Sequence, residues 1–391
     1  MKDLKIGVFF GGKSPEHDVS IITGQLIISE LKKLGYSVAP IYLDKNGRWF
    51  IGEELGVLKF FYNSEKEEKL KKFGGYYLDL AESRGKLIFK KKGLYSKKIG
   101  IEIAFPAFHG ANGEDGTIQG MFEIFNIPYV GCDVASSAIA MDKVLTKLFY
   151  QSNNISTTKF VYFSANDWEK DKKSILSQVK ETLNWPIFIK PARLGSSIGI
   201  AKVKKYEDLE FACEVALHYD NKILAEESVE NLADITCAVL GNDNPRPSLI
   251  QESVFNGEHF SYKDKYLEGG GAQLGNAKNN IIIPAELDEN ITREIQNLAV
   301  KIFKMFGCSG IARVDFLYDK NSKIIYANEI NPLPGTLYHH LWKKSGLELG
   351  KLIEELIKLA QEKHKAKNKI THTFESDILK QAGSMKLKIS K

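Results

Sequence analysis

The sequence predicts an α/β protein whose N-terminal part is an open parallel sheet flanked by helices. Three observations predict it. Short apolar, β-prone runs alternate with stretches of helical periodicity, the rhythm of βαβ units. The first of these runs stops at Gly11-Gly12, where a strand gives way to a loop. And 391 residues at 43% hydrophobic and 26% charged suffice for two or three packed domains and are too apolar for wholesale disorder.

In chain order, residues 5–10 are apolar without alternation, as in a strand buried on both faces. Residues 19–34 place Ile21, Ile22, Leu26, Ile27 and Leu31 at helical spacing. Strands follow at 38–43 and 101–105, a helix at 114–125 and a short strand at 127–130. Residues 52–98 are rich in Lys, Glu and Tyr with weak periodicity, and read as an insertion of hairpins and loops. One helix over 135–150 leads to a second part, with strands at 186–190, 198–203 and 223–226 and a helix at 209–217. A third part holds strands near 234–240, 281–283, 310–318 and 323–328, with helices over 289–306 and 348–361.

The formal net charge of +5 is unevenly placed. Residues 363–391 hold eight lysines against two acids, Glu375 and Asp377, so the basic character belongs to a tail. A solvated tail, not a nucleic-acid-binding face, is expected. Four cysteines without CxxC spacing exclude a zinc knuckle or a disulfide framework. No apolar run approaches the roughly 20 residues that cross a bilayer. The opening Met1 to Ile6 lacks the apolar core of a secretory signal. A cytoplasmic protein without membrane partners is expected.

Gly7-Val8-Phe9-Phe10-Gly11-Gly12-Lys13-Ser14 satisfies the phosphate-loop pattern GxxxxGK[ST]. That mechanism needs a flexible loop whose N–H groups wrap phosphate, followed by a helix. Here Val8-Phe9-Phe10 belongs inside a strand, and Pro15 removes an N–H near the helix start. The better reading is a turn at the carboxyl edge of the sheet, where open α/β folds bind ligands. Glu16 would be a charged contact there and Ser20 a helix cap.

The strongest chemical signal comes late: Arg313-Val314-Asp315-Phe316, then Asn328-Glu329-Ile330-Asn331. Residues two apart on a strand share a face. Arg313 and Asp315 therefore pair on one strand, and Glu329 and Asn331 on the next, across a turn near Asp319-Lys320-Asn321. Two carboxylates and an amide oxygen are hard ligands suited to Mg²⁺ with phosphate. Arg313 adds a fixed cation. A second signal is the strand ending in Lys190 and the Gly195-Ser196-Ser197 turn, a point charge with N–H groups and hydroxyls for an anion. A third is His109-Gly110-Ala111-Asn112-Gly113-Glu114-Asp115-Gly116-Thr117-Ile118-Gln119-Gly120. It reads either as an anion-binding loop, with Asp115 or Thr117 opening a helix, or as an ordinary Gly-rich connection.

Together these motifs resemble the D-alanine–D-alanine ligases of the ATP-grasp superfamily. Residues 109–120 match the signature HGxxGEDGxxQG in full, and the Arg-x-Asp and Asn-Glu-x-Asn strands match a second. The likeness covers most of residues 4–360. It implies an N-terminal α/β domain over 1–141, a central lid subdomain over 142–228, a C-terminal catalytic subdomain over 229–361 and a basic tail over 362–391. It also implies ATP and two Mg²⁺ (or Mn²⁺) ions, D-alanine as substrate, and a homodimer supplying D-Ala-D-Ala for peptidoglycan.

Residue by residue, Lys143 and Lys190 match the family's phosphate-binding lysines. Glu226, Glu227 and Val229 match the segment that meets adenine, and Asp234 a ribose-binding acid. Asp315, Glu329 and Asn331 match the metal ligands. Lys265 and Tyr266 match a loop, here within 260–275, that closes over the γ-phosphate. Glu16, Ser196 and Tyr266 match a trio that orders the first amino acid's site, lined also by His109. Gly335 and Arg313 match the groups facing the oxyanion. Some residues depart from the family pattern. Pro332 replaces a usual Thr, Leu194 an acid found in some members, and Tyr338-His339-His340 a common Ser-His-Ser. His340 thus stands where a Ser meets the second substrate's carboxylate. D-lactate, D-serine or another amino acid are the alternatives for that substrate. A regulatory nucleotide-binding module without turnover is the rival reading.

Overall fold

The computed structural model describes residues 4–93, 97–254 and 281–384. Among these, the strands form three sheets of seven, four and five strands.

The first sheet grows from β1 (Lys5–Gly11), which pairs in parallel with β2 (Ser37–Leu43) and β7 (Ile103–Pro106). Helix α1 (His17–Lys33) makes the β1–β2 crossover and buries Ile21, Ile27, Ile28 and Leu31. Because Gly7 to Gly11 all lie in β1, no phosphate loop forms, and Lys13 is exposed. The stretch 52–98, expected as hairpins and loops, does hold antiparallel hairpin strands, and these join the first sheet. After β3 (Trp49–Ile51) and α2 (Lys66–Phe73), the strands β4 (Tyr76–Leu78), β5 (Leu87–Lys91) and β6 (Lys98–Ile101) extend the sheet antiparallel. The order is β6-β5-β4-β3-β2-β1-β7, parallel only at its β2-β1-β7 end.

Four local expectations need correction. The strand expected at 127–130 is one bridge, Ala104 to Tyr129. The helix expected from 114 begins later, as α3 (Thr117–Ile124). The helix expected over 135–150 is two, α4 (Val134–Met141) and α5 (Lys143–Ser152). Between them Asp142 is extended and its carboxylate accepts the Val144 and Leu145 N–H groups, so it caps α5 and ends the first helix. Ser20 is no cap, because α1 already starts at His17. Its hydroxyl accepts the Gly11 N–H and donates to the Ala107 carbonyl, both at 2.8 Å, tying the carboxyl ends of β1 and β7 to α1.

The second sheet is antiparallel in the order β10-β9-β11-β8, from β8 (Phe160–Ser164), β9 (Ile187–Pro191), β10 (Ala201–Val203) and β11 (Lys222–Glu227). Helices α6 (Ala165–Thr182) and α7 (Leu209–Leu217) cover one face around Val179, Ile187, Ile189 and Leu209. The alternate residues of β9, Phe188 and Lys190, are only half-buried and face the other way.

The third sheet runs β14-β13-β12-β15-β16, all antiparallel, from β12 (Leu232–Gly241), β13 (Arg246–Ser253), β14 (Ile281–Ile282), β15 (Gly310–Asp319) and β16 (Ile325–Asn331). Strand β15 shows how the sequence sorts its faces. Ala312, Val314 and Phe316 pack against Ile295, Ala299 and Phe303 of α8 (Glu289–Met305), which leaves Arg313 and Asp315 on the opposite face. Beyond a short α9 (His339–Lys344), α10 (Leu349–Lys367) returns to the first sheet, and α11 (Ile378–Ser384) follows. Ile27 and Leu31 of α1 share one core with Ile311, Leu337, Leu352 and Leu356. Each such side chain contributes about 1.5–3 kcal/mol when fully buried, so this shared core fixes the first and third sheets against each other.

Candidate active site

A cleft of about 540 Å³ lies between the second and third sheets. Its lining brings together Lys143, Lys190, Glu226, Glu227, Val229 and Asp234 with Arg313, Asp315 and Glu329. Phe188 and Leu317 add apolar walls. Residues nearly 190 apart in sequence thus meet, because each lies on a strand or helix end that borders the cleft.

Glu226 is fully buried, and its side chain behaves differently from a surface adenine contact. Its carboxylate is paired with Lys190 and lies 2.6 Å from the Lys147 ammonium. Lys147 sits one turn after Lys143 on α5 and is itself buried. It donates to the Thr157 and Thr158 hydroxyls at 2.8 Å, and Thr158 donates to Glu226. Burial alone would raise the Glu226 carboxyl, but the two ammoniums overcome this and hold it well below the usual carboxylate range. The pair costs desolvation, so its value lies in placing Lys190 at the cleft wall. Lys143 reaches the Leu194 carbonyl at 2.8 Å and Glu329 at 3.4 Å.

The cross-strand register sets the second half of the site. Arg313 pairs with Asn331 and Asp315 with Glu329 across β15–β16, and the ladder shifts just beyond Asp315, so Asn328 is an extra residue there. The Arg313 guanidinium grips Asp315 through Nε at 2.9 and 3.0 Å and Nη2 at 2.6 Å, and Thr236 of β12 donates to the same carboxylate at 2.8 Å. Burial opposes the Arg313 charge, yet the adjoining Asp315 keeps the guanidinium firmly protonated. Its Nη1 is buried without a hydrogen-bond partner among the described residues. The Tyr338 ring lies 5.0 Å from the guanidinium carbon. The Asn331 amide oxygen accepts the Leu333 N–H at 3.0 Å, which fixes it and leaves its second lone pair. Among the described residues no group of three or more His, Cys, Asp or Glu could hold a metal. Asp315, Glu329 and Asn331 instead offer two carboxylates and an amide, an all-oxygen set that fits a hard divalent cation.

A smaller cavity of about 50 Å³ adjoins the cleft and shares Lys143, Ser196, Arg313 and Glu329 with it. It is lined also by Glu16, His109, Glu114, Asn331 and Gly335. Ser196 donates to the buried Glu16 carboxylate. Two glycines permit this approach. A Cβ on Gly195 would fall 2.7 Å from Glu16 Oε2, and one on Gly110 2.4 Å from Ser14 Oγ and 2.9 Å from Glu16 Oε2. The 109–120 loop is held by its own acids. Glu114 accepts the Gly110 N–H at 2.6 Å, and Asp115 accepts the Asn112 and Thr117 N–H groups.

His340 does not line either cavity. Its Nε2 lies 2.8 Å from the Gln251 Oε1, and burial lowers its pKa to about 4, with the His339 and Arg313 charges acting in the same direction. Lys265 and Tyr266 lie outside the described residues. Sequence reading missed Lys147, Thr158 and Thr236. Only the i, i+4 spacing of Lys143 and Lys147 hinted at any of them.

The cysteines are free and buried, and no helix among the described residues is long and apolar enough to cross a membrane. Comparison with known proteins agrees with this geometry. A family model described as D-ala D-ala ligase N-terminus matches residues 5–132, and one described as D-ala D-ala ligase C-terminus matches residues 149–358. The chain is 41% identical over 379 residues to the D-alanine–D-alanine ligase of Thermosipho melanesiensis, covering 96% of this chain and 98% of the relative. The D-alanine-D-alanine ligase structure from Coxiella burnetii superposes with a TM-score of 0.79 at 29% identity, covering 94% of this chain and 97% of that one. The VanG D-Ala:D-Ser ligase from Enterococcus faecalis does so with a TM-score of 0.73 at 31% identity, covering 92% and 99%. With a family match over more than half its length and a relative this similar across nearly all of it, the chain belongs to the D-alanine–D-alanine ligase family.

Proposed function

We propose that the protein is an ATP-dependent D-alanine–D-alanine ligase that supplies the dipeptide for peptidoglycan. The observation that carries the reading is the buried Arg313, whose Nη1 lacks a hydrogen-bond partner among the described residues. It borders both cavities beside the Asp315–Glu329 pair. A buried donor of that kind is suited to an oxyanion brought in by substrate.

In this reading the large cleft holds ATP. The adenine lies between Phe188 and Leu317 along the 226–229 backbone, the ribose meets Asp234, and the phosphates meet Lys143 and Lys190. Asp315, Glu329 and Asn331 would hold Mg²⁺ or Mn²⁺, two ions in all, which neutralises charge on the transferring phosphoryl group when bound. The first D-alanine occupies the small cavity, with its ammonium at Glu16 and its carboxylate toward the cleft. That carboxylate attacks the γ-phosphorus, and the bond to the β–γ bridging oxygen breaks, giving ADP and an acyl phosphate. The amine of the second D-alanine then attacks the acyl carbon. An amide bond forms, phosphate leaves with the bonding pair, and the nitrogen loses its proton. Arg313 and the Gly335 N–H stabilise the oxyanion between these events. Lys265 and Tyr266 close over the reacting groups and exclude water, which would hydrolyse the acyl phosphate. The enzyme acts as a homodimer in the cytoplasm.

The test is ADP and phosphate release from ATP and Mg²⁺ with D-alanine alone, then with D-alanine paired with D-serine, D-lactate or L-amino acids. The expected result is turnover with D-alanine alone and D-Ala-D-Ala as product. Turnover only with a second acceptor would reassign the second substrate. Absence of ADP release with every amino acid would favour a regulatory nucleotide-binding module.

A further inference from the structure

Thr23 is a residue to which none of the foregoing steps gives a role. It lies on α1, is fully buried, and joins two segments of the small cavity's wall. Its hydroxyl oxygen accepts the backbone N–H of Thr336 at 3.1 Å and lies 2.9 Å from Nε2 of His109. His109 belongs to the Gly-rich loop after β7. Thr336 follows Gly335 in the turn after β16. That turn is under strain: Thr336, Leu337 and Tyr338 have φ of +49°, +56° and +50°, three successive side-chain-bearing residues in the left-handed region. Such a conformation persists only where its surroundings over-determine it. The Leu337 side chain is fully buried in the core shared with α1, and Thr23 supplies the hydrogen bond that pins the turn's first strained residue.

We propose that Thr23 is a positioning residue for the ligase reaction: one hydroxyl sets the strained turn that presents Gly335 and, at the same time, the place of His109. The inference rests on the ligase reading for its catalytic consequence. The hydroxyl has one proton to give. With Thr336 donating to it, the oxygen keeps its own proton and one lone pair, so the far side of the His109 ring sets the direction of the contact. Nδ1 faces Glu114 Oε1 at 3.9 Å, a buried carboxylate oxygen without a hydrogen-bond partner among the described residues. That acceptor favours the proton on Nδ1, which leaves Nε2 bare to accept the Thr23 hydroxyl. Both cavity residues it governs, His109 and Gly335, are close: a Cβ on Gly335 would sit 4.0 Å from His109 Cε1. The donor atom that meets the oxyanion and the ring beside the first substrate are thus set from a single point on α1.

Thr23→Val removes the hydroxyl at nearly constant volume, and Thr23→Ser keeps it. The expected result for Thr23→Val is a kcat lower by about tenfold or more, as for other small misplacements of catalytic groups, with the KM for ATP within about twofold of wild type, since no ATP-binding residue is touched. Thr23→Ser restores kcat. A wild-type kcat in Thr23→Val, or equal loss in both variants, would overturn the proposal. Nitrogen NMR of the wild-type histidines provides a test that needs neither variant folding nor turnover. A bare Nε2 and protonated Nδ1 at His109 is expected, and a protonated Nε2 would overturn the hydrogen-bond direction. Wild-type protein that releases no ADP with D-alanine would refute the ligase reading, while the NMR result would still decide the Thr23 contact.

Discussion

Asp315 and Glu329 stand directly opposite each other on β15 and β16, and each is met by a cation from its own chain. Arg313 clasps Asp315 with three short contacts, while Lys143 approaches Glu329 at 3.4 Å from a different element. Like charges facing across a ladder repel. Here the arrangement concentrates hard oxygens at the seam between the two cavities, where a divalent cation and phosphate oxygens would meet.

Asp315→Asn or Glu329→Gln should therefore lower ADP release with D-alanine by about 100-fold or more, since metal charge stabilisation amounts to several kcal/mol. Chelation should abolish the wild-type rate, and Mn²⁺ should restore it. Asp315→Asn also leaves the buried Arg313 without its carboxylate, which costs about 3–5 kcal/mol. Urea unfolding in parallel separates the two effects, and Glu329→Gln, at a more exposed site, should lose rate with little loss of stability.

The Lys147–Glu226 pair makes a different prediction. Glu226→Gln leaves the fully buried Lys147 ammonium without its carboxylate, and should cost about 3–5 kcal/mol in urea unfolding. The KM for ATP should rise as Lys190 loses the carboxylate that places it at the cleft wall. Adding Lys147→Met to Glu226→Gln removes the uncompensated charge and should recover part of the stability. A double variant less stable than the single would mean that the pair is not the source of the cost.

Parts of this site were legible from the sequence, and the reasons differ. Strand periodicity of two placed Arg313 with Asp315 and Glu329 with Asn331 without any knowledge of the partner strand. The extra residue Asn328 was not legible, because a bulge leaves the alternation of hydrophobic residues almost intact. Strand β13 was missed because Ser248, Gln251 and Ser253 are polar yet buried by the sheet and by α9, a tertiary effect that overrides propensity. Lys147 and Thr236 were missed for the same kind of reason. Their partners, Glu226 and Asp315, lie 79 residues away on other strands. The break at Asp142 was hidden because the hydrophobic pattern runs on through it, while the capping carboxylate acts locally.

His340 predicts a pH dependence of stability. Its folded pKa is lowered to about 4 from the ordinary imidazole value of 6.5, chiefly by burial. The folded state thus refuses a proton that the unfolded chain accepts between those values. The contribution is fully present above pH 6.5 and is lost as pH falls toward 4, by up to about 3 kcal/mol. Wild type should therefore lose more stability across that window than His340→Asn, measured by urea midpoints at each pH. Parallel curves for the two proteins would show that His340 is not the group responsible.

Glu16 should govern the first substrate alone. Glu16→Gln keeps the shape but removes the charge meant for an ammonium, so the KM for D-alanine at the first site should rise about tenfold or more, while the KM for ATP stays near wild type. Ser196→Ala, which removes the donor to that carboxylate, should have the same sign and a smaller size. A larger effect on ATP than on D-alanine would move Glu16 out of the amino-acid site.

The most direct measurement is a crystal structure with Mg²⁺ and a non-hydrolysable ATP analogue. The account predicts the nucleotide in the cleft between the second and third sheets, its terminal phosphates near Lys143 and Lys190, and the cation bound by oxygens of Asp315, Glu329 and Asn331. A cation held elsewhere, with Asp315 still clasped by Arg313 and remote from phosphate, would contradict it.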